Sequence, residues 1–132
     1  MKAPITHLGF SAVELLMLIV VLAIAVTIGY DLQQSLTATH RDQTRKVAVN
    51  AVHANLQEIV RAKAGGYPRT LKADVLGAID ERLLRDPKGN LLDEAASDYN
   101  YEPTGCNGGD VCSGYVLTAR LERESDYVKA SF

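Results

Sequence analysis

The feature that most constrains this chain is a shortage of helix breakers. From Phe10 to Ala64 there is no proline, and Gly29 is the only glycine. A proline inside a helix costs about 3 kcal/mol and a glycine about 1 kcal/mol relative to alanine, so so long a run with one weak interruption reads as a single helix. At about 1.5 Å rise per residue it would be roughly 80 Å long. The chain has 132 residues, room for one modest domain, and no domain of that size buries such a helix along its whole length. Something besides the chain's own core must cover part of it.

Side-chain chemistry divides this helix into three stretches. In the first, residues 10–30, the run from Leu15 to Val26 holds no polar side chain, and the stretch is long enough to cross a hydrocarbon core of about 30 Å. Lys2 precedes it and Asp31 follows it, a charge order that keeps the N-terminus cytoplasmic and sends the rest outward. The second stretch, Asp31 to Lys46, is polar, although Leu32, Leu36 and then Val47 carry on a thin apolar edge. The third, Val47 to Ala64, is amphipathic. Val49, Val52, Leu56, Ile59, Val60 and the stem of Lys63 follow the spacing of one helical face. Gly65-Gly66 then stops the helix and Pro68 prevents its resumption. The near end suits lipid or other helices, and the far end suits a small folded head.

Residues 65–132 make up that head. Val75, Leu76, Ile79, Leu83 and Leu84 predict a short amphipathic helix over Lys72–Leu84, and Asp86-Pro87-Lys88-Gly89 predicts a type I turn. Three strands are expected, over Ser97–Glu102, Tyr115–Glu122 and Ser125–Phe132, with Tyr115, Leu117, Ala119 and Leu121 on one face and Val116, Thr118, Arg120 and Glu122 on the other. The fold class is therefore α+β: one long N-terminal helix packed on a small antiparallel sheet with one wet face. Tyr99 and Tyr101 read as sheet packing, and His40 and His53 as solvated helix residues. Asp93, Glu94 and Asp98 could bind calcium, but without a defined ligand loop they read as a solvated acidic turn. No Cys/His cluster, glycine-rich phosphate loop or nucleophile with a spaced base points to a cofactor or to catalysis. The formal net charge of -2 gives nucleic acid no electrostatic foothold.

Glu14 does not suit a plain anchor. An acid in a membrane span costs on the order of 3 kcal/mol at the centre and less at the edge. Reaching the headgroups is one way out, and finding a positive partner is another. A cut between Gly9 and Phe10 would supply that partner as a new α-amine, which is largely protonated near neutral pH. Gly9-Phe10-Ser11-Ala12-Val13-Glu14 followed by an apolar run resembles the type III signal of the prepilins, the precursors of type IV pilins and type II secretion pseudopilins. The resemblance implies Gly9 as the residue after which a prepilin peptidase cuts, Phe10 as the N-methylated first residue, and Glu14 as the assembly glutamate. The leader would be residues 1–9. Leu8 stands where many leaders have a basic residue, and Asp31 where many pilins have proline. Along the head, the order Tyr67-Pro68, Asp86-Pro87, Tyr99, Gly114-Tyr115 is similar to pseudopilin-like and small bacterial pilin heads.

The resemblance implies no enzyme activity. It implies a single-pass precursor in the cytoplasmic membrane, then a pilus or a periplasmic pseudopilus. The implied partners are further copies, sibling pilins, the peptidase/methyltransferase and an assembly ATPase with its platform. With the head outside the cytoplasm, Cys106 and Cys112 favour a disulfide; a metal pair is the rival. Two other readings remain open. Ala23-Ile24-Ala25 also has the small-x-small pattern of an ordinary signal cleavage site, which would release a soluble chain. A signal-anchored domain that never polymerises is the third.

Overall fold

The computed structural model describes residue 9 and residues 11–72, 74–77, 79–92, 94–106 and 108–131. The helix runs unbroken through Gly29. Helix α1 spans Ala12–Asn55, passes through one π turn at Leu56–Val60, where the Arg61 N–H reaches back to the Leu56 carbonyl, and finishes as α2 at Arg61–Ala64. Gly65 ends it in the left-handed region at φ 70°, donating its N–H to the Arg61 carbonyl, a conformation that glycine adopts without a Cβ penalty. By packing, the chain divides after Thr37 into two compact units.

The first unit is helical from Ala12 onward, and its described residues are exposed but for the half-buried Ser35. The second has a core. Val49, Val52, Leu56 and Val60 line the helix side; Tyr67, Leu71, Leu76, Leu84 and Leu92 come from the connecting segments, and Tyr99, Tyr115, Leu117 and Ala119 from the sheet. Burial on the helix starts earlier than the apolar pattern implies, at Ala38, and takes in Asp42 and Arg45.

The sheet is antiparallel, in the order β2 (Tyr99–Thr104), β4 (Gly114–Ala119), β5 (Tyr127–Ala130). Tyr99 sits across from Ala119, Tyr101 from Leu117, and Leu117 from Lys129. The predicted alternation holds: Tyr115, Leu117 and Ala119 are buried while Val116 and Thr118 are half-exposed. All three strands start or stop a few residues away from the expected bounds. A separate pair, β1 (Tyr67–Pro68) with β3 (Val111–Cys112), has no counterpart in the sequence reading.

Among the described residues of Lys72–Leu84 the predicted helix does not form. In its place are a turn at Asp74–Val75 and a single 3₁₀ turn at Glu81–Leu84. Gly77 adopts φ 64°, which interrupts α geometry. Asp80 then takes an extended conformation and its carboxylate accepts the Arg82 N–H, so the chain re-enters a helical turn only there. The Asp86–Gly89 turn is present, closed by the Gly89 N–H on the Asp86 carbonyl.

Candidate functional site

Glu14 lies in the first turn of α1, where the Leu15 N–H already reaches the Ser11 carbonyl. A carboxylate there is mildly favoured by the positive end of the helix dipole. It is exposed and, among the described residues, has no hydrogen-bond or ion-pair partner. Gly9 is exposed, and Phe10 lies outside the described residues. Around and beyond Glu14 the apolar side chains face outward: Val13 is 67% exposed, and Leu16, Ile19, Val20, Ile24 and Ile28 are exposed too. The helix is long and apolar enough to cross a membrane, with none of its most apolar window buried.

In the second unit the helix is held by charge as well as by its apolar stripe. Arg45 is fully buried. Its guanidinium donates to Asp42 at 2.8 Å, to Asp98 at 2.7 Å and to Glu122 at 2.8 Å. Arg41 grips the same Glu122 through two nitrogens, Lys88 meets the other oxygen of Asp98, and Lys46 meets Glu124. The two oxygens of Asp42 accept the N–H groups of Glu122 and Arg123, and the carboxylate of Asp86 accepts those of Lys88, Asn90 and Asp98. One arginine thus ties the helix to the 86–98 segment and to the turn between β4 and β5.

Electrostatics follow from this geometry. The hydrogen bonds from Arg41 and Arg45 hold the Glu122 carboxyl down at about 2. Burial alone would raise the carboxyls of Asp42 and Asp86, but their hydrogen bonds outweigh it and both lie below the usual carboxylate range. Burial pushes the Tyr99 phenol up to about 12.

Cys106 and Cys112 form a disulfide, Cα to Cα 4.1 Å. It closes the loop whose far end is β3, and the Asp110 carbonyl accepts the Arg69 N–H beside it. Tyr99 packs in the core and Tyr101 is half-buried with its hydroxyl on the Pro68 carbonyl. His40 is exposed as expected, whereas His53 is not a solvated residue: it is half-buried, 2.7 Å from the Tyr115 hydroxyl, and burial followed by the charge of Lys129 lowers its pKa. The acidic turn also differs from its reading, because Asp98 is buried between Arg45 and Lys88. Glu94 is exposed and accepts the Leu91 N–H, and Asp93 lies outside the described residues. Among the described residues no cluster of three or more His, Cys, Asp or Glu could hold a metal. A shallow cleft of about 520 Å³ opens between Arg69, Leu71, Tyr99, Tyr101 and Arg120.

The chain matches no family model, no curated protein and no solved structure.

What stands without a relative is the architecture. A long N-terminal helix, apolar in its first part, contacts a small antiparallel sheet accompanied by a disulfide, which is a pilin-like arrangement. Its apolar N-terminal part suggests a membrane anchor or a signal sequence. The charge cluster was missed by pattern reading, although a signal was there. Ala38, Asp42, Arg45, Val49, Val52 and Leu56 keep an unbroken three-four spacing, so the core stripe could have been followed back through two charged residues.

Proposed function

We propose that this chain is a membrane-held, pilin-type subunit that polymerises through its N-terminal helix and catalyses nothing. The observation that carries this reading is an exposed apolar helix with one unpartnered acid, Glu14, in its first turn. A lone span gains nothing from such an acid. If the peptide is cut after Gly9, the α-amine of Phe10 becomes available. Two unit charges about 4 Å apart attract by about 4 kcal/mol at an effective dielectric near 20. Within one helix the amine and Glu14 meet only loosely. Between neighbouring copies they pair well, so assembly relieves a cost that the single copy bears in lipid. Each copy offers one surface to a different surface on the next, which yields an open helical filament.

The proposed partners are further copies, sibling pilins, a prepilin peptidase/methyltransferase and an assembly platform with its ATPase. The precursor sits in the cytoplasmic membrane with its head outside. A second reading lies within the same class. Tyr67-Pro68, the Asp86–Gly89 turn and Gly114-Tyr115 follow one another in an order similar to pseudopilin-like as well as small bacterial pilin heads, and on the pseudopilin reading the filament is a short periplasmic pseudopilus of type II secretion.

Intact-mass measurement of the membrane-extracted protein, from cells that possess the processing peptidase, tests the proposal. A chain that begins at Phe10 and is one methyl heavier is expected. A chain still beginning at Met1 would overturn the proposal, and one beginning at Val26 would establish signal cleavage instead. Glu14→Ala should leave the protein in the membrane and abolish filaments seen by electron microscopy. Filaments at undiminished yield would remove Glu14 from assembly.

A further inference from the structure

Strand β2 lies at an outer edge of its sheet, and among the described residues β4 is its only neighbour. The Arg120 N–H donates to the Asp98 carbonyl at 2.8 Å, one step beyond the Tyr99–Ala119 pair. Hydrogen-bonded pairs alternate along an antiparallel ladder. Asn100, Glu102 and Thr104 therefore turn their backbone groups toward β4, while Tyr99, Tyr101 and Pro103 turn theirs outward. The Tyr99 N–H is taken by the Ser97 hydroxyl, and Pro103 has no N–H to offer. Among the described residues the Tyr101 N–H and the carbonyls of Tyr99 and Tyr101 have no hydrogen-bond partner. The same stretch lines the cleft of about 520 Å³, together with Arg69 and Leu71 and with Thr118 and Arg120. Leu71 belongs to the core and Thr118 to the wetter face of the sheet. A cleft that touches both passes round the open edge of β2, because β4 fills its other side.

An open strand edge repeats donor and acceptor at a two-residue step, a pattern that extended backbone matches. A segment laid antiparallel and opposite Tyr101 exchanges two hydrogen bonds with it and gives a third to the Tyr99 carbonyl. The open run stops at Pro103, which suits a short segment and ends any longer pairing. A second copy's sheet is a poor occupant, since it would bring its covering helix against the wall formed by residues 69–71. Charge narrows the choice further. The Arg120 guanidinium reaches only the Ser97 carbonyl, at 3.4 Å, and Asp126 stands opposite it, one step beyond the Ala119–Tyr127 pair. Glu94 also lines the cleft, but its carboxylate takes the Leu91 N–H. Arg69 gives its backbone N–H to the Asp110 carbonyl, and among the described residues its guanidinium has no partner. We propose that the outer edge of β2 at Tyr99–Tyr101 docks an extended peptide segment of a protein partner, with an acidic side chain of that segment beside Arg69. The inference stands whether or not the chain forms filaments.

The test presents the full-length chain, in detergent micelles, to a displayed library of short random peptides. Enriched peptides are expected to share an acidic residue, and Arg69→Ala should weaken the best of them about tenfold. Lys63→Ala, in the exposed last turn of the helix, should leave binding unchanged. Methylating the peptide's backbone nitrogens one at a time should abolish binding at the position that faces Tyr101. Amide exchange at Tyr101 should slow in the complex, while that of Val128 on the β5 edge stays as it was. A library that yields no enriched peptide would overturn the proposal. So would a binder that tolerates methylation at every nitrogen, or one that leaves exchange at Tyr101 unchanged. Both of these readouts use the unsubstituted chain, so they decide the matter even if Arg69→Ala weakens the fold. Slowed exchange at Tyr101 when the chain assembles without peptide would give the edge to a second copy and overturn the proposal as well.

Discussion

Arg45 is the residue on which most of the second unit's polar structure converges. Buried ion pairs return little net stability when intact, yet breaking one costs about 3–5 kcal/mol because a charge is left uncompensated in low dielectric. Arg45→Ala leaves the buried Asp42 with its two backbone N–H donors but no cation, and the buried Asp98 with Lys88 alone, and is expected to destabilise by about that amount, measured by urea unfolding. Removing Asp42 and Arg45 together should cost less than the two single losses added, which a double-mutant cycle reads directly. The pH dependence follows from the same contacts. Glu122 titrates at about 2 in the folded chain against 4.5 unperturbed, and Asp42 and Asp86 are lowered likewise. Each therefore stabilises the fold above its unfolded value, and that contribution is lost as pH falls through the folded one. The side chain of Glu122 is 33% exposed, so screening leaves only about 1 kcal/mol from it. His53, also lowered, adds an earlier and shallower loss below about pH 6.5. Thermal melts should thus show a gentle decline below neutrality and a steep one between about pH 4.5 and 2. A flat profile through the lower window would deny the cluster its role.

Among the elements, the smallest pairing is the most dependent on covalent help. Two-residue strands β1 and β3 hold few bonds of their own, and the Cys106–Cys112 bridge closes the loop that presents β3. Replacing both cysteines by serine should cost about 2 kcal/mol in the chain-entropy view. Amide exchange should accelerate first at Tyr67 and at position 112 across from it, while the β2–β4–β5 ladder stays protected; uniform loss across both sheets would show the bridge to be a global staple instead. How legible each element was depended on how local its cause is. The long helix was readable because breakers are local and absent, and β4 because alternation is local. The 3₁₀ turn at Glu81–Leu84 was read as part of a helix because its leucines fit that period, while Gly77 and the Asp80 cap decide the backbone. The cluster around Arg45 was hidden because Asp98 and Glu122 lie 53 and 77 residues away, and a lone buried charge looks like a solvated one until its partners are placed. The Cys106–Cys112 disulfide followed only once the head was placed outside the cytoplasm, and Glu14 drew notice as an acid beside an apolar run, its role resting on the resemblance.

For the molecule as a whole, the division after Thr37 sets a boundary that differs from the one hydropathy suggests. Apolar patterning alone would cut a soluble head near Val47, where the amphipathic stretch begins. That cut removes Arg41, Asp42, Arg45 and Lys46 together, leaving Asp98 without Arg45, Glu122 without either of its arginines and the N–H groups of Glu122 and Arg123 without Asp42. A cut at Ala38 keeps every one of these and discards only the exposed first unit. Domains of this size are stable by about 5–15 kcal/mol in total, so losing a buried cluster worth about 3–5 kcal/mol to break consumes much of the margin. A fragment from Ala38 to Phe132 is accordingly expected to be soluble without detergent, to melt cooperatively and to sediment as a monomer. A fragment from Val47 to Phe132 should show weakened near-ultraviolet dichroism and a much lower urea midpoint. Equal stability of the two fragments would mean that the apolar stripe alone fastens the helix to the sheet, and that the charges at Arg41 to Lys46 answer to something outside the subunit.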